Sequence, residues 1–97
     1  MDHKLEARTL IRRDQDILAT EMDGEYLILS IEQGSYIALR DVSARIWELL
    51  ESPRPVTFVF ETLLGEYAVD RKTCEAEVSA FLRQMAENGL ISFENPA

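Results

Sequence analysis

Apolar residues run in short, β-type blocks through the first forty positions and then switch to helical spacing, so the chain divides into a strand half and a helix half. Ile17-Leu-Ala-Thr-Glu-Met22 predicts a strand, and the Asp23-Gly24 that follows suits two turn positions needing positive φ. Tyr26-Leu-Ile-Leu-Ser-Ile31 predicts a second strand, with the aliphatic density of one covered on both faces. Glu32-Gln-Gly34 makes another turn. Ser35-Tyr-Ile-Ala-Leu39 is a third short strand, Ile37 and Leu39 on one face, Tyr36 and Ala38 on the other. The three form an antiparallel meander.

From Asp41 onward the period changes. Asp41 or Ser43 caps a helix through Ala44-Arg-Ile-Trp-Glu-Leu-Leu50, in which Ile46, Leu49 and Leu50 mark an apolar stripe flanked by Trp47. Ser52-Pro-Arg-Pro55 stops it, since proline cannot continue the hydrogen-bond ladder. A second helix runs from about Thr57 to Tyr67. Asp70 then caps a third, about Arg71 to Asn88, whose apolar positions Cys74, Val78, Phe81, Leu82 and Met85 share one face. Asn88-Gly89 is a stop signal, and Leu90-Ile-Ser-Phe93 adds a short extended end before a frayed Glu94 to Ala97. The pattern predicts an α+β domain: a three-stranded antiparallel sheet followed by three helices. One domain spans 1–97, folded over about 15–93, with 1–14 as a loose N-terminal arm.

Composition narrows the function classes. No apolar run reaches the roughly 20 residues a membrane helix needs, and the N-terminus lacks the order of a secretory signal, so the chain reads as cytoplasmic. Net charge is −8, and residues 14–42 hold seven acidic groups against Arg40 alone. Only Arg8, Arg12 and Arg13 approach a basic cluster, so nucleic acid is a poor partner. His3 and Cys74 cannot make a zinc site, and no glycine-rich phosphate loop occurs. Cys74 sits on an apolar stripe with no histidine to activate it, and Glu75 and Glu77 cannot share a helix face. No catalytic set, metal site or cofactor site is expected. What remains is binding. The third strand carries neither charge nor proline between Gly34 and Arg40, so its edge is suited to pairing with a guest strand.

Certain segments are familiar in their order. Gly34-Ser-Tyr-Ile-Ala-Leu39, Ser43-Ala-Arg-Ile-Trp-Glu-Leu-Leu50, Tyr67-Ala-Val-Asp70, Glu77-Val-Ser-Ala-Phe-Leu82 and Asn88-Gly-Leu-Ile91 resemble the PqqD family. Its members are recognition elements that bind the leader of a ribosomally made, later modified precursor peptide (RiPP). The resemblance runs from about Ile17 to Ile91 and implies a winged helix-turn-helix-like domain. It also implies that the leader adds as an antiparallel strand to the third strand, beside the third helix. Carried onto this chain, the peptide-binding residues are Ser35, Tyr36, Ile37, Ala38 and Leu39, with Glu75, Val78, Ser79 and Leu82 from the helix; Ile46, Trp47 and Phe81 are assigned to core.

A free-standing domain of this size resembles the leader-binding subunit of lasso-peptide machinery, which implies a separate leader peptidase or modifying enzyme as partner. A pyrroloquinoline quinone-type peptide chaperone serving a radical-SAM enzyme is the alternative. A winged-helix DNA-binding regulator is a third reading, opposed by the charge. A monomer or weak dimer is expected.

Overall fold

The described residues are 5–95 of a computed structural model; His3 and the other terminal residues lie outside them. In chain order the elements are β1 (Leu10–Arg13), β2 (Ile17–Met22), β3 (Glu25–Ser30), β4 (Tyr36–Leu39), α1 (Val42–Leu49), β5 (Arg54–Pro55), α2 (Val56–Glu66), α3 (Arg71–Glu87) and β6 (Ile91–Glu94). The meander is present as β2-β3-β4, and the hairpin at Asp23-Gly24 closes because both residues take positive φ. Its register pairs Ile17 with Ser30 and Met22 with Glu25 on one side of β3, and Ile28 with Ile37 and Tyr26 with Leu39 on the other.

The β2-β3-β4 meander precedes the three helices as the pattern predicts, and winged helix-turn-helix-like describes the result only loosely, because there are two sheets. The second has the order β5-β1-β6. Residues 10–13, expected in a loose arm, are its central strand: Leu10 pairs with both Pro55 and Glu94, and Ile11 is fully buried. The partners lie more than forty residues away, so no local pattern marks them. The two arginines that make the segment look solvated are structural. Arg12 pairs with Glu94 at 2.9 Å, and the Arg13 guanidinium lies 3.9 Å from the Trp47 ring centroid while donating to the Trp47 carbonyl. Glu94, expected to fray, is thereby held at the end of β6, and Thr9 Oγ1 donates to Asn95 Oδ1 beside it.

The core gathers one face of the meander, the inner stripes of all three helices, and β1 and β6. Trp47, Leu50, Val59, Leu63, Leu82, Met85, Leu90 and Ile91 are buried together with Ile28 and Leu39. The α3 cap is as predicted: Thr73 N donates to Asp70 Oδ2 at 3.0 Å. At α1 the cap differs. Asp41 holds φ 55° and ψ −124° and makes no side-chain cap bond, while Ser43 Oγ accepts from Arg40 N at 3.0 Å. β3 is covered on one face only, contrary to its sequence pattern, and Leu27 is exposed.

Candidate functional site

β4 is an edge strand. Ser30 N donates to Ser35 O at 2.8 Å, which fixes the alternation: the peptide groups of Ser35, Ile37 and Leu39 point at β3, and those of Tyr36 and Ala38 point away from it. Among the described residues nothing pairs with the Tyr36 and Ala38 backbone. The flanks are closed: Arg40 N and O are taken up by Ser43 and Ala44, and Gly34 N donates to Ser30 O. A stretch of two residues, each offering one donor and one acceptor, is therefore free.

α3 is tied to this edge at one end, where Ser35 Oγ donates to Asn88 O at 2.7 Å. Gly89, at φ 74°, passes so near the Gln33 side chain that a Cβ would stand 2.6 Å from it. Beyond the other end of β4 the chain enters α1. There Val42, Ser43 and Ile46 face Cys74, Glu77, Val78 and Phe81 across a cavity of about 430 Å³, with Leu63, Tyr67 and Val69 completing the wall. The polar side chains of the lining are Ser43, Tyr67, Cys74 and Glu77, and the rest is apolar. Cys74 is buried within it, and that burial, reinforced by Glu75, pushes its thiol pKa up, away from the nucleophilic thiolate. Among the described residues no cluster of three or more His, Cys, Asp or Glu is arranged to hold a metal.

The strand residues of the expected site are thus together, with divided duties. Tyr36 and Ala38 present the free backbone; Ile37 and Leu39 turn their side chains inward, Leu39 into the core; Ser35 is engaged by Ser30 and Asn88. The helix residues divide differently. Val78 lines the cavity, whereas Leu82 is wholly buried. Glu75 and Ser79 lie on the far side of α3, in a separate hollow with Leu5, Ala7, Thr57 and Phe60, and Glu75 pairs with Arg71 at 3.2 Å. Phe81, assigned to core by its periodicity, is half-buried and lines the cavity.

The apolar stripe of α3 has two borders, Glu75 and Ser79 on one and Glu77 and Phe81 on the other. Helical spacing alone does not say which faces the sheet. Tyr67 and Val69 complete the cavity wall from outside the helices. Their signal is two large apolar side chains in the loop before the Asp70 cap, where polar residues are the norm.

Known proteins share this architecture. The family model described as coenzyme PQQ synthesis protein D (PqqD) matches residues 25–91. A "PqqA binding protein" of Rhodopseudomonas palustris (strain HaA2) is 26% identical over 87 residues, covering 90% of this chain and 83% of that protein. Among solved structures, TbiB1 in complex with the TbiA(beta) leader peptide superposes with a TM-score of 0.77 at 31% identity, over 89% of this chain and 98% of that one. A lasso peptide synthetase B1 complexed with its leader peptide gives 0.72 at 27% identity, over 84% and 95%.

Proposed function

This chain belongs to the PqqD family, and from that premise we propose that it is a non-catalytic module that captures the leader region of a ribosomally made precursor peptide. The leader adds as an antiparallel strand to β4 and sends alternate side chains toward α3. The observation that carries this reading is the unpaired backbone of Tyr36 and Ala38 on a strand that leads into α1, whose first residues wall a large apolar cavity with α3. A guest strand satisfies the first, and a bulky apolar side chain one or two residues along fills the second. Both solved relatives are complexes with leader peptides, which supports the same ligand class here.

The bound leader is presented to a separate leader peptidase or modifying enzyme of lasso-peptide assembly. The curated relative that binds PqqA favours a pyrroloquinoline quinone-type role instead, and the identity of the precursor decides between them. DNA binding has little physical support. The chain carries −8, and Arg12, Arg45 and Arg71 are held in ion pairs.

The test is a titration of isotope-labelled protein with the leader of the co-encoded precursor. Saturable binding with the largest amide shifts at Tyr36 and Ala38 is expected, weakened about tenfold or more by Phe81→Gln, which truncates apolar cavity lining. A flat titration overturns the reading.

A further inference from the structure

Among the described residues, the exposed large apolar side chains fall into two groups. Val42, Tyr67 and Val69 rim the cavity. The others lie on or beside the outward face of the β2-β3-β4 sheet: Leu18 is 58% exposed, Met22 72%, Leu27 51% and Tyr36 72%, with Ile31 just past the end of β3. The register makes the sheet group continuous. Leu18 stands opposite Leu29, Leu29 opposite Tyr36, and Leu27 opposite Ala38, so all these side chains share one face across three strands. A solvated sheet face ordinarily alternates to polar residues, and a contiguous apolar one marks an interaction surface.

Acidic groups stand at both ends of this face. Asp23 and Glu25 sit at the hairpin end, beside Arg40 just past β4, and Asp14, Asp16 and Glu32 at the other, where they also line a hollow with Arg12 and Arg13; all five acids are exposed and outnumber the cations. A second copy seated face to face would bring like charges together. A protein surface with an apolar centre bordered by Lys and Arg complements it. The face is also continuous with the β4 edge. Tyr36 and Ala38 put their side chains on it while their free peptide groups point along the sheet, so guest residues paired with them would extend the same face.

We propose that this outer sheet face docks the enzyme acting on the precursor, through a basic-rimmed apolar patch on that enzyme, and that a leader strand on β4 enlarges the docking surface so that the loaded form binds more tightly. The proposal rests on leader capture at β4 and adds the partner's contact surface and a preference for the loaded state.

The experiment measures binding of the co-encoded, full-length enzyme to the immobilised chain, with and without saturating leader peptide. Leader affinity is measured separately, and sedimentation velocity reports the oligomeric state. The expected result is enzyme binding about tenfold tighter with leader present and weakened by added salt. The double variant Leu18→Thr/Leu27→Thr keeps strand-forming residues while removing apolar area; it should weaken the enzyme about tenfold or more and leave leader affinity within about twofold. Asp23→Lys/Glu25→Lys should weaken the enzyme at low salt and have little effect at high salt. The proposal is overturned if neither wild-type form binds the enzyme, if both double variants bind as wild type does, or if the wild type is a dimer that Leu18→Thr/Leu27→Thr dissolves. Absence of leader binding alone would instead remove the strand-capture reading, with enzyme binding to the free chain still measured.

Discussion

Ala38→Pro separates strand addition from every other way a peptide might lie against this protein. The Ala38 N–H points away from β3, so proline removes a donor that no intramolecular bond uses, and edge positions of this kind tolerate proline. A guest strand paired to β4 would lose that hydrogen bond, worth about 0.5–1.5 kcal/mol net, and its own carbonyl would be left half-buried without a partner. Together these come to about 1–3 kcal/mol, a drop in leader affinity of roughly 5- to 150-fold. Ile37→Pro is the matched control. Its N–H faces Ile28, so proline there breaks the β3–β4 ladder and should destabilise the fold by about 3 kcal/mol or more. Leader affinity is read by isothermal titration and stability by urea denaturation. Unchanged affinity in a folded Ala38→Pro variant would refute backbone pairing at β4, whatever the side chains contribute.

Leu82→Ala empties a fully buried position where α3 meets the core, and should lower the urea-derived stability by about 2–5 kcal/mol; a loss below about 1 kcal/mol would place Leu82 outside the core. Asp41→Gly relieves a non-glycine residue held at φ 55°, strain of order 1–3 kcal/mol, against about 0.5–1 kcal/mol of added unfolded-state entropy, so denaturation should show net stabilisation near 1 kcal/mol, and a destabilised variant contradicts the strain. The Thr73 N–H bond holds the Asp70 carboxyl below its ordinary pKa; with the folded value depressed, its contribution is full above the unfolded pKa near about 4 and lost as pH falls through the folded one. Asp70→Ala should therefore lower the thermal midpoint at pH 7 and converge with wild type in acid, and a gap that persists in acid would disprove the cap's linkage.

The parts of this fold that announce themselves in sequence are those whose partners are close along the chain. The β2-β3-β4 meander has turn residues at both joints, and α3 has its own cap, stripe and stop signal within twenty residues. β1, β5 and β6 are legible only through one another: Ile11 pairs with Phe93 on one side and Arg54 on the other, and neither is near in sequence. The same limit governs the site. β4 could be chosen from its missing charges, since an edge property is written on the edge itself. Which border of α3 lines the cavity depends on where α1 and the Tyr67–Val69 loop settle: Glu77 and Phe81 line it, and Glu75 and Ser79 lie in the separate hollow.

Comparing the sheet edges explains why β4 is the one suited to a guest. β5 is two residues long and contains Pro55; β6 ends on Glu94, which pairs with Arg12; β2 carries Glu21 and is flanked by Asp16 and Asp23. Short length, proline and charge are the usual defences of an exposed edge, and only Tyr36–Leu39 lacks the last two. Its shortness sets the energetics. Tyr36 and Ala38 offer at most four backbone hydrogen bonds, about 2–6 kcal/mol in all, while association itself costs about 4–15 kcal/mol. Strand pairing alone therefore cannot hold a peptide. It fixes register and direction, and affinity must come from apolar side chains, each worth about 1.5–3 kcal/mol when fully buried. The cavity lined by Val42, Ile46, Val78 and Phe81, formed where the chain leaves β4 for α1, offers the apolar volume for such a side chain.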